Sequence, residues 1–552
     1  MQRKVLPLVG LLVIAVAAMA GGYYEARLSA RPVASDSGVP ENLREDFEEA
    51  LNMIQDSYAG QADLETLGKY SIQGMLHQLD PHSAFFTKRE FDDLQTEQRS
   101  RIYGIGVTIV KRYDRVYIIT AIPGTPAHRA GLRYGDAIIA VDGQNVEEWS
   151  NDQIMHRVRG EKGEEVELTV ERAGAPAPIT VRIRRDEVKL PSVRNVFMTN
   201  PAGTGYIALT GGFSSKTNEE LTAAIARLKQ EGMRQLILDL RGNPGGLLDQ
   251  AIEVTKKFLA PGEKILEVRG RDGRFQERVY EVPQDNAPET MPMVILINRG
   301  TASASEVVAG ALQDHDRAFL VGENSFGKGL VQSVNRVWGG SGLTLTIARY
   351  YTPTGRSIQR DYSKVSFYDY YLNRNEDEQG ITGAPRGDGL RTDLGRMVYS
   401  GGGITPDIEV KSPENNPTRG KLFYGIFDFT RQLVAGLVGG LRQYRVSDTQ
   451  HKSKLSEDET ARYPINEEVL AAFRQHIASR PQFNVTDEQF NANLSYIISQ
   501  MRREIITAAY GPEAGEQVYL AEDIQLRKAI ESLDQARMMA DNARRVRGDR
   551  QQ

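Results

Sequence analysis

Two small-residue segments carry groups from which a hydrolase could be built without histidine. Residues 299–333 read RGTASASEVVAGALQDHDRAFLVGENSFGKGLVQS, with Ser303 at the head of a helical pattern and Gly327-Lys328-Gly329 some twenty-five positions later. Ser303 and Glu306 also stand in the S-x-x-E relation of a capping box, the ordinary reading of such a helix start. Of the seven histidines, at 77, 82, 128, 156, 315, 451 and 476, only His315 is near this segment. On one continuous helix it would lie about 18 Å from Ser303 at ~1.5 Å per residue, too far to act as its base. Lysine starts near pKa ~10.4, and burial without a counter-charge lowers it toward what a general base needs. The nearest carboxylate in sequence is Glu323, and a solvated turn lysine is the ordinary alternative. Cysteine is absent, which excludes a thiol nucleophile, a disulfide framework and a lipid-modified cysteine.

These groups need elements to hold them. The apolar run Met293–Ile297 reads as the strand that delivers Ser303, and Leu236–Leu240 as a neighbouring strand ending in Arg241-Gly242-Asn243-Pro244-Gly245-Gly246 before a helix resumes at Leu247. Strand, glycine loop and helix is also the shape of a phosphate site, but no G-K-[ST] follows, so a P-loop is excluded. A hydrolase needs two N–H groups aimed at a developing oxyanion, and Ala304, directly after Ser303, can give one. Gly205–Leu209 and Leu343–Tyr350 read as further strands, and Asn218–Gln230 as an amphipathic helix.

Upstream, Leu43, Phe47, Leu51, Ile54 and Tyr58 recur at helical spacing, with Leu64, Leu67 and Met75 on a second helix; both read as packing faces. His82, in Leu79–Phe86, reads as structural. Tyr103-Gly104-Ile105-Gly106 leads into a strand at Val107–Val110, followed by another at Val116–Thr120. Glycines in such a loop free N–H groups to converge on an anion while the strand edge pairs with a peptide; the plain alternative is a glycine hairpin.

The blocks Thr301–Glu306 and Phe326–Gln332, with the gap between them, resemble the carboxyl-terminal processing (tail-specific) proteases, serine peptidases with a Ser/Lys dyad. The resemblance spans roughly residues 40 to 410. It implies Ser303 as nucleophile, Lys328 as base, Gln332 as the amide orienting the lysine, and a second oxyanion donor in the glycine loop, at Gly246 rather than Gly245. On a straight strand Lys328 and Gln332 would stand about 13 Å apart at ~3.3 Å per residue, so either Gly329 bends the path or the amide reaches back after a local turn. Residues 100 to 186 resemble a PDZ domain, through Gly104-Ile105-Gly106, Ala130-Gly131-Leu132 and Gly135–Gly143. That likeness places peptide binding on Tyr103, Gly104, Ile105, Gly106 and Val107, with Asn151–Val158 as the helix lining the groove. Arg159, in the turn after that helix, is the candidate for coupling peptide binding to protease activation. Leu79–Phe86 and Pro353–Ile358 are also family blocks, and residues 360 to 400 read as an inserted loop before Gly403–Asp407.

The expected architecture is a multidomain α/β (α+β) chain. A signal peptide or membrane anchor spans 1–24 and a tether 25–40; then come a helical region (41–99), a PDZ domain (100–186), a crotonase/ClpP-like protease core (188–411) and a helical C-terminal region (412–552). Arg3 and Lys4 precede an apolar run that ends near an A-x-A site; its length and the pair Tyr23-Tyr24 favour an anchor. Either form exports the rest, giving a periplasmic enzyme held at the inner membrane of a bacterial cell envelope. A net charge of −5 argues against nucleic acid. Leu422–Leu441, interrupted by Arg431 and glycines, reads as a packing or interface helix, and stripes at Leu494–Ala508 and Leu526–Leu533 suggest helices that build a homo-oligomer or dock an adaptor. The function expected is an endopeptidase acting on proteins with apolar free C-termini through an acyl-enzyme, without metal or organic cofactor. The alternatives are a degenerate protease serving as a PDZ scaffold and a hydrolase of small esters or amides.

Overall fold

The computed structural model describes residues 41–98, 101–113, 115–271, 276–363, 370–371, 389–413, 416–452 and 455–551. The expected anchor and tether lie outside the described residues, as does much of the 360–400 insertion.

Helices Glu41–Ser57 and Leu64–His77 form as expected, but among the described residues much of their apolar stripes is left uncovered. Leu43 (58%), Phe47 (44%) and Tyr58 (64%) stay exposed. Periodicity reports an amphipathic helix without saying what covers it. The next stretch joins the protease: β1 (Ala84–Phe86) pairs antiparallel with a strand more than 250 residues later, Ala84 opposite Thr344, and helix Lys88–Gln98 follows it.

β2 (Arg101–Gly104) and β9 (Asp186–Lys189) pair antiparallel and close the PDZ domain at its entry and exit. Between them lie β3 (Val107–Arg112), β4 (Arg115–Ala121), β5 (Ala137–Val141), β6 (Gln144–Asn145), helix Asn151–Val158, β7 (Glu165–Glu171) and β8 (Ile179–Arg184). The sheet order β3-β4-β5-β7-β8, with β6 on β5, leaves β3 at an edge beside that helix. An edge strand offers unpaired backbone groups to an added strand.

The protease core is built on β10 (Val193–Thr199), β11 (Thr204–Leu209), β12 (Gln235–Asp239), β15 (Met293–Ile297), β16 (Phe319–Gly322) and β21 (Ile408–Glu409), in that order across the sheet. All neighbours are parallel except β10 with β11. β11, β12 and β15 are buried along their whole length, because the sheet is covered on both faces. Successive residues alternate between those faces. Ile207, Leu238 and Ile295 meet helices Thr217–Gln230, Leu248–Lys256 and Ala304–Asp314, while Tyr206, Ile237 and Val294 meet Leu526, Ala529 and Leu533. The stripe at 526–533, expected to serve assembly, is thus spent inside the chain as the second cover of the protease sheet. A second sheet, β1-β18-β13-β14 with β17 on β18, packs beside it; its strands are β13 (Lys264–Gly270), β14 (Arg278–Glu281), β17 (Leu330–Arg336) and β18 (Gly342–Tyr351). β19 (Leu390–Arg391) and β20 (Met397–Val398) form a small hairpin.

Among the described residues no helix is long and apolar enough to cross a membrane. Helices Pro417–Val434, Glu467–Ala478 and Leu494–Tyr510 share one core, which continues onto the PDZ domain through Tyr117, Tyr134 and Ala137. Tyr134 donates to Glu504 Oε2 at 2.6 Å, and the Arg112 guanidinium lies 3.8 Å from the centre of the Phe423 ring. Arg241 ties the other end of this region to the core, donating to Asp523 and Gln525 at 2.7 and 2.8 Å.

Candidate active site

Ser303 occupies the turn between β15 and helix Ala304–Asp314 at φ +56° and ψ −116°. A side chain disfavours that backbone region, so surrounding bonds must hold it. Ala302 N–H donates to the Asn243 carbonyl (2.9 Å), Thr301 Oγ1 to the Leu240 carbonyl (2.8 Å), and Phe326 N–H to the Thr301 carbonyl (2.8 Å). Only half of the expected capping box forms. Ser303 N–H donates to Glu306 Oε2 at 2.8 Å, but Glu306 N–H goes to the Ser303 carbonyl, and Ser303 Oγ has no hydrogen-bond partner among the described residues. A hydroxyl spent on a cap would be an ordinary helix start; this one is buried and uncommitted.

Lys328 precedes β17 and is 1% exposed. Burial pushes its amine down to about 7, although the carboxylates of Asp80 and Glu306 pull the other way. Its Nζ donates to Gln332 Oε1 at 3.2 Å. The span question left by the sequence is resolved by geometry: Lys328 lies outside the strand, and the β17–β18 register shifts between Val331 and Gln332.

Glu306 and Tyr350 join the two segments at the backbone. Glu306 Oε2 accepts from the N–H groups of both Ser303 and Lys328, each at 2.8 Å, and Oε1 accepts from Gly327 N–H at 2.7 Å and from Ser325 Oγ. Burial pushes this carboxyl up to about 7 against those four donors. On the carbonyl side, the Tyr350 hydroxyl lies 3.0 Å from Ser303 O and within hydrogen-bond distance of Lys328 O, with one proton to share between them. Sequence reading saw Glu306 only as a cap and missed Tyr350, because neither role follows from local spacing.

The glycine loop abuts this turn. A Cβ on Gly245 would lie 2.8 Å from Ser303 Cβ and 2.9 Å from Ala304 N. Gly245 N–H is taken by Asn243 Oδ1 at 2.9 Å, whereas those of Gly246 and Ala304 donate to no protein acceptor among the described residues. His82 lies in this site through its backbone: its carbonyl accepts from Gln332 Nε2 at 2.6 Å. His315 is engaged elsewhere, with Nδ1 2.9 Å from Asp393 Oδ2 and Nε2 2.8 Å from the Lys264 carbonyl. Glu263, His315 and Asp393 are close enough to share a cation, but Arg547 already supplies one, 2.8 Å from Glu263 Oε1.

In the PDZ domain the Ile105 and Gly106 carbonyls accept from Ala127 N–H (2.8 Å) and Ile122 N–H (2.9 Å), so Tyr103–Val107 is pinned from its carbonyl side next to the free edge of β3. Arg159 caps helix Asn151–Val158, and a Cβ on Gly104 would come 3.8 Å from its Cγ. It therefore lies against Gly104, in the loop expected to bind peptide.

Fold and site together define a serine-type protease carrying a PDZ domain. Peptidase family S41 matches residues 203–365 and PDZ domain residues 94–171. The chain is 36% identical over 317 residues to a carboxy-terminal-processing protease of Bartonella bacilliformis, covering 57% of this chain and 72% of that protein. It is 33% identical over 333 residues to the carboxy-terminal processing protease CtpA of Bacillus subtilis, covering 58% and 70%. Among solved structures it is similar to a photosystem II D1 C-terminal processing protease, at 28% identity and TM-score 0.34, over 66% of this chain and 86% of that one. The chain belongs to peptidase family S41, with the carboxy-terminal processing proteases.

Proposed function

We propose that this protein is an exported endopeptidase that reads an apolar free C-terminus in its PDZ groove and cleaves through an acyl-enzyme on Ser303, with Lys328 as its only base. The observation that carries the reading is the buried Lys328 amine, lowered to about 7 and sharing two backbone clamps with an uncommitted serine. Neutral Lys328 takes the Ser303 Oγ proton as Oγ bonds to the scissile carbonyl carbon, and the C=O pair moves onto the oxygen. The N–H groups of Ala304 and Gly246 receive that oxyanion. Collapse breaks the C–N bond, and the Lys328 ammonium returns its proton to the leaving amine. Water, deprotonated by the same lysine, then hydrolyses the ester and frees Ser303.

Ser303 Oγ and Lys328 Nζ share no hydrogen bond in this conformation, and both side chains are covered. Substrate must therefore uncover the pair and bring them together, a step in which Arg159, beside the PDZ loop, is suited to take part. Residues 1–24 supply the export signal and membrane hold. Ser303→Ala and Lys328→Ala are each expected to lower peptide turnover at least ~10³-fold while the protein stays folded. A fluorophosphonate should label Ser303, and only weakly in Lys328→Ala. Undiminished turnover in either variant would remove the dyad.

A further inference from the structure

His82 is fully buried and has no place in the proton transfers above, yet both of its ring nitrogens are committed. Nδ1 lies 2.9 Å from the Tyr371 hydroxyl and Nε2 3.0 Å from the Tyr370 hydroxyl. Directions along this chain are fixed at its ends. The Tyr371 hydroxyl is 2.8 Å from the Pro81 carbonyl, which can only accept, so Tyr371 donates there and must itself accept from Nδ1–H. At the other end Gln359 Nε2 donates to the Tyr370 oxygen at 3.2 Å, leaving the Tyr370 proton for Nε2. The ring is therefore the neutral Nδ1–H tautomer. Burial holds the imidazole well below its ordinary pKa and so keeps the ring uncharged, and the Arg360 guanidinium acts in the same direction.

The backbone of His82 is pinned as well, its N–H donating to Asp80 Oδ1 at 2.8 Å. With ring and N–H both held, its carbonyl meets Gln332 Nε2 at 2.6 Å. That bond selects one orientation of the amide. Turned over, Gln332 would set oxygen against oxygen at His82, and its NH₂ would donate to the lone pair that a neutral Lys328 needs as a base. As it stands, Oε1 accepts one Lys328 N–H, and the lone pair of the neutral amine is left to another direction.

We propose that His82, clamped by Tyr370 and Tyr371, is a positioning residue for the lysine base: the phenols fix the imidazole, the fixed residue presents its carbonyl to Gln332, and Gln332 aims Lys328. This gives the insertion a task in the reaction, since it supplies both tyrosines. The inference rests on the Ser/Lys reading. Tyr370→Phe/Tyr371→Phe removes both hydroxyls and keeps the rings, which pack edge-on to His82 with centroids 5.4 and 5.8 Å away.

Kinetics of the full chain on a tailed peptide, from about pH 5.5 to about pH 9, should show kcat lowered about tenfold with KM within about twofold. The acid limb of kcat should also move to higher pH, because a loosened cage lets water reach the amine and eases the burial that holds its pKa down, while Asp80 and Glu306 already act to raise it. A merely structural role would lower the melting temperature and leave that limb in place. Should the double variant fail to fold, Tyr371→Phe alone is expected to give a smaller displacement of the limb in the same direction. An acid limb coincident with wild type in whichever variant folds overturns the inference. Lys328→Ala separates the two levels: if it stays active, the base assignment fails; if it is inactive while the limb of the tyrosine variant is unmoved, only the clamp fails.

Discussion

The molecule contains two glycine loops suited to hold negative oxygen, and they differ in what forces the glycine. At Gly106 (φ +81°) a Cβ would meet the Thr125 side chain, Cβ at 2.4 Å and Oγ1 at 2.6 Å. At Gly246 (φ +145°) it would meet backbone, the Phe213 carbonyl oxygen at 2.2 Å and nitrogen at 2.6 Å. The first obstacle is a side chain on a loop of a domain that must admit a peptide; the second is main chain bonded on both sides, Phe213 N–H to the Gly245 carbonyl (2.7 Å) and Leu247 N–H to the Phe213 carbonyl (2.8 Å). A permanent carboxylate tolerates a site that yields a little. A charge that exists only in the transition state needs donors already in place.

The contrast breaks most sharply at the hard loop. Gly246→Ala should lower kcat by about 10²–10³-fold through a displaced N–H, while the PDZ domain keeps its affinity for a C-terminal peptide. Titration calorimetry on the same variant checks the second half. Equal losses in turnover and peptide binding would show that the loops do not act separately.

The next effect concerns the charge on the base. Lys328 is depressed to about 7 by burial, so below that pH it becomes an ammonium and cannot take the Ser303 proton. kcat/KM should therefore fall about tenfold per pH unit on the acid side and level off above about pH 8. An acid limb near the ordinary carboxylate range would assign the base elsewhere.

How far these sites were legible in the sequence follows from the range of the interactions that make them. The runs at 205–209, 236–240 and 293–297 announced buried strands because parallel strands covered on both sides leave no polar face. The expected roles of Ser303, Lys328 and Gln332 were carried by two compact blocks, and that of Gly246 by the glycine loop, in which Asn243 takes the Gly245 N–H. What stayed hidden was tertiary. Glu306 looked like a cap because spacing reports i to i+3, while its partners at 325, 327 and 328 lie across the fold. The stripes at 43–58 and 526–533 were equally periodic, yet one is exposed and the other covers the protease sheet. Periodicity states that a face is apolar, and only packing decides its neighbour.

The soft loop should show a smaller effect. Gly106→Ala is expected to weaken a C-terminal peptide about tenfold, with KM for a tailed substrate rising in step and kcat for a short untailed peptide within about twofold of wild type. Both parts follow from Thr125. Its Oγ1 lies 2.6 Å from the Ile122 carbonyl and 3.2 Å from the Gly106 carbonyl, with one proton to share between them, so moving it for a new Cβ disturbs the base of the loop. Among the described residues the hydrogen bonds of Thr125 go to Gly106, Ile122 and Arg129, all within the PDZ domain. Thr125→Gly/Gly106→Ala, compared with Thr125→Gly, clears every side-chain atom that blocks the added carbon and should recover part of the affinity that Gly106→Ala alone loses. If it recovers none, the positive φ at position 106 dominates, and the distinction between a side-chain obstacle and a backbone one fails at its softer end.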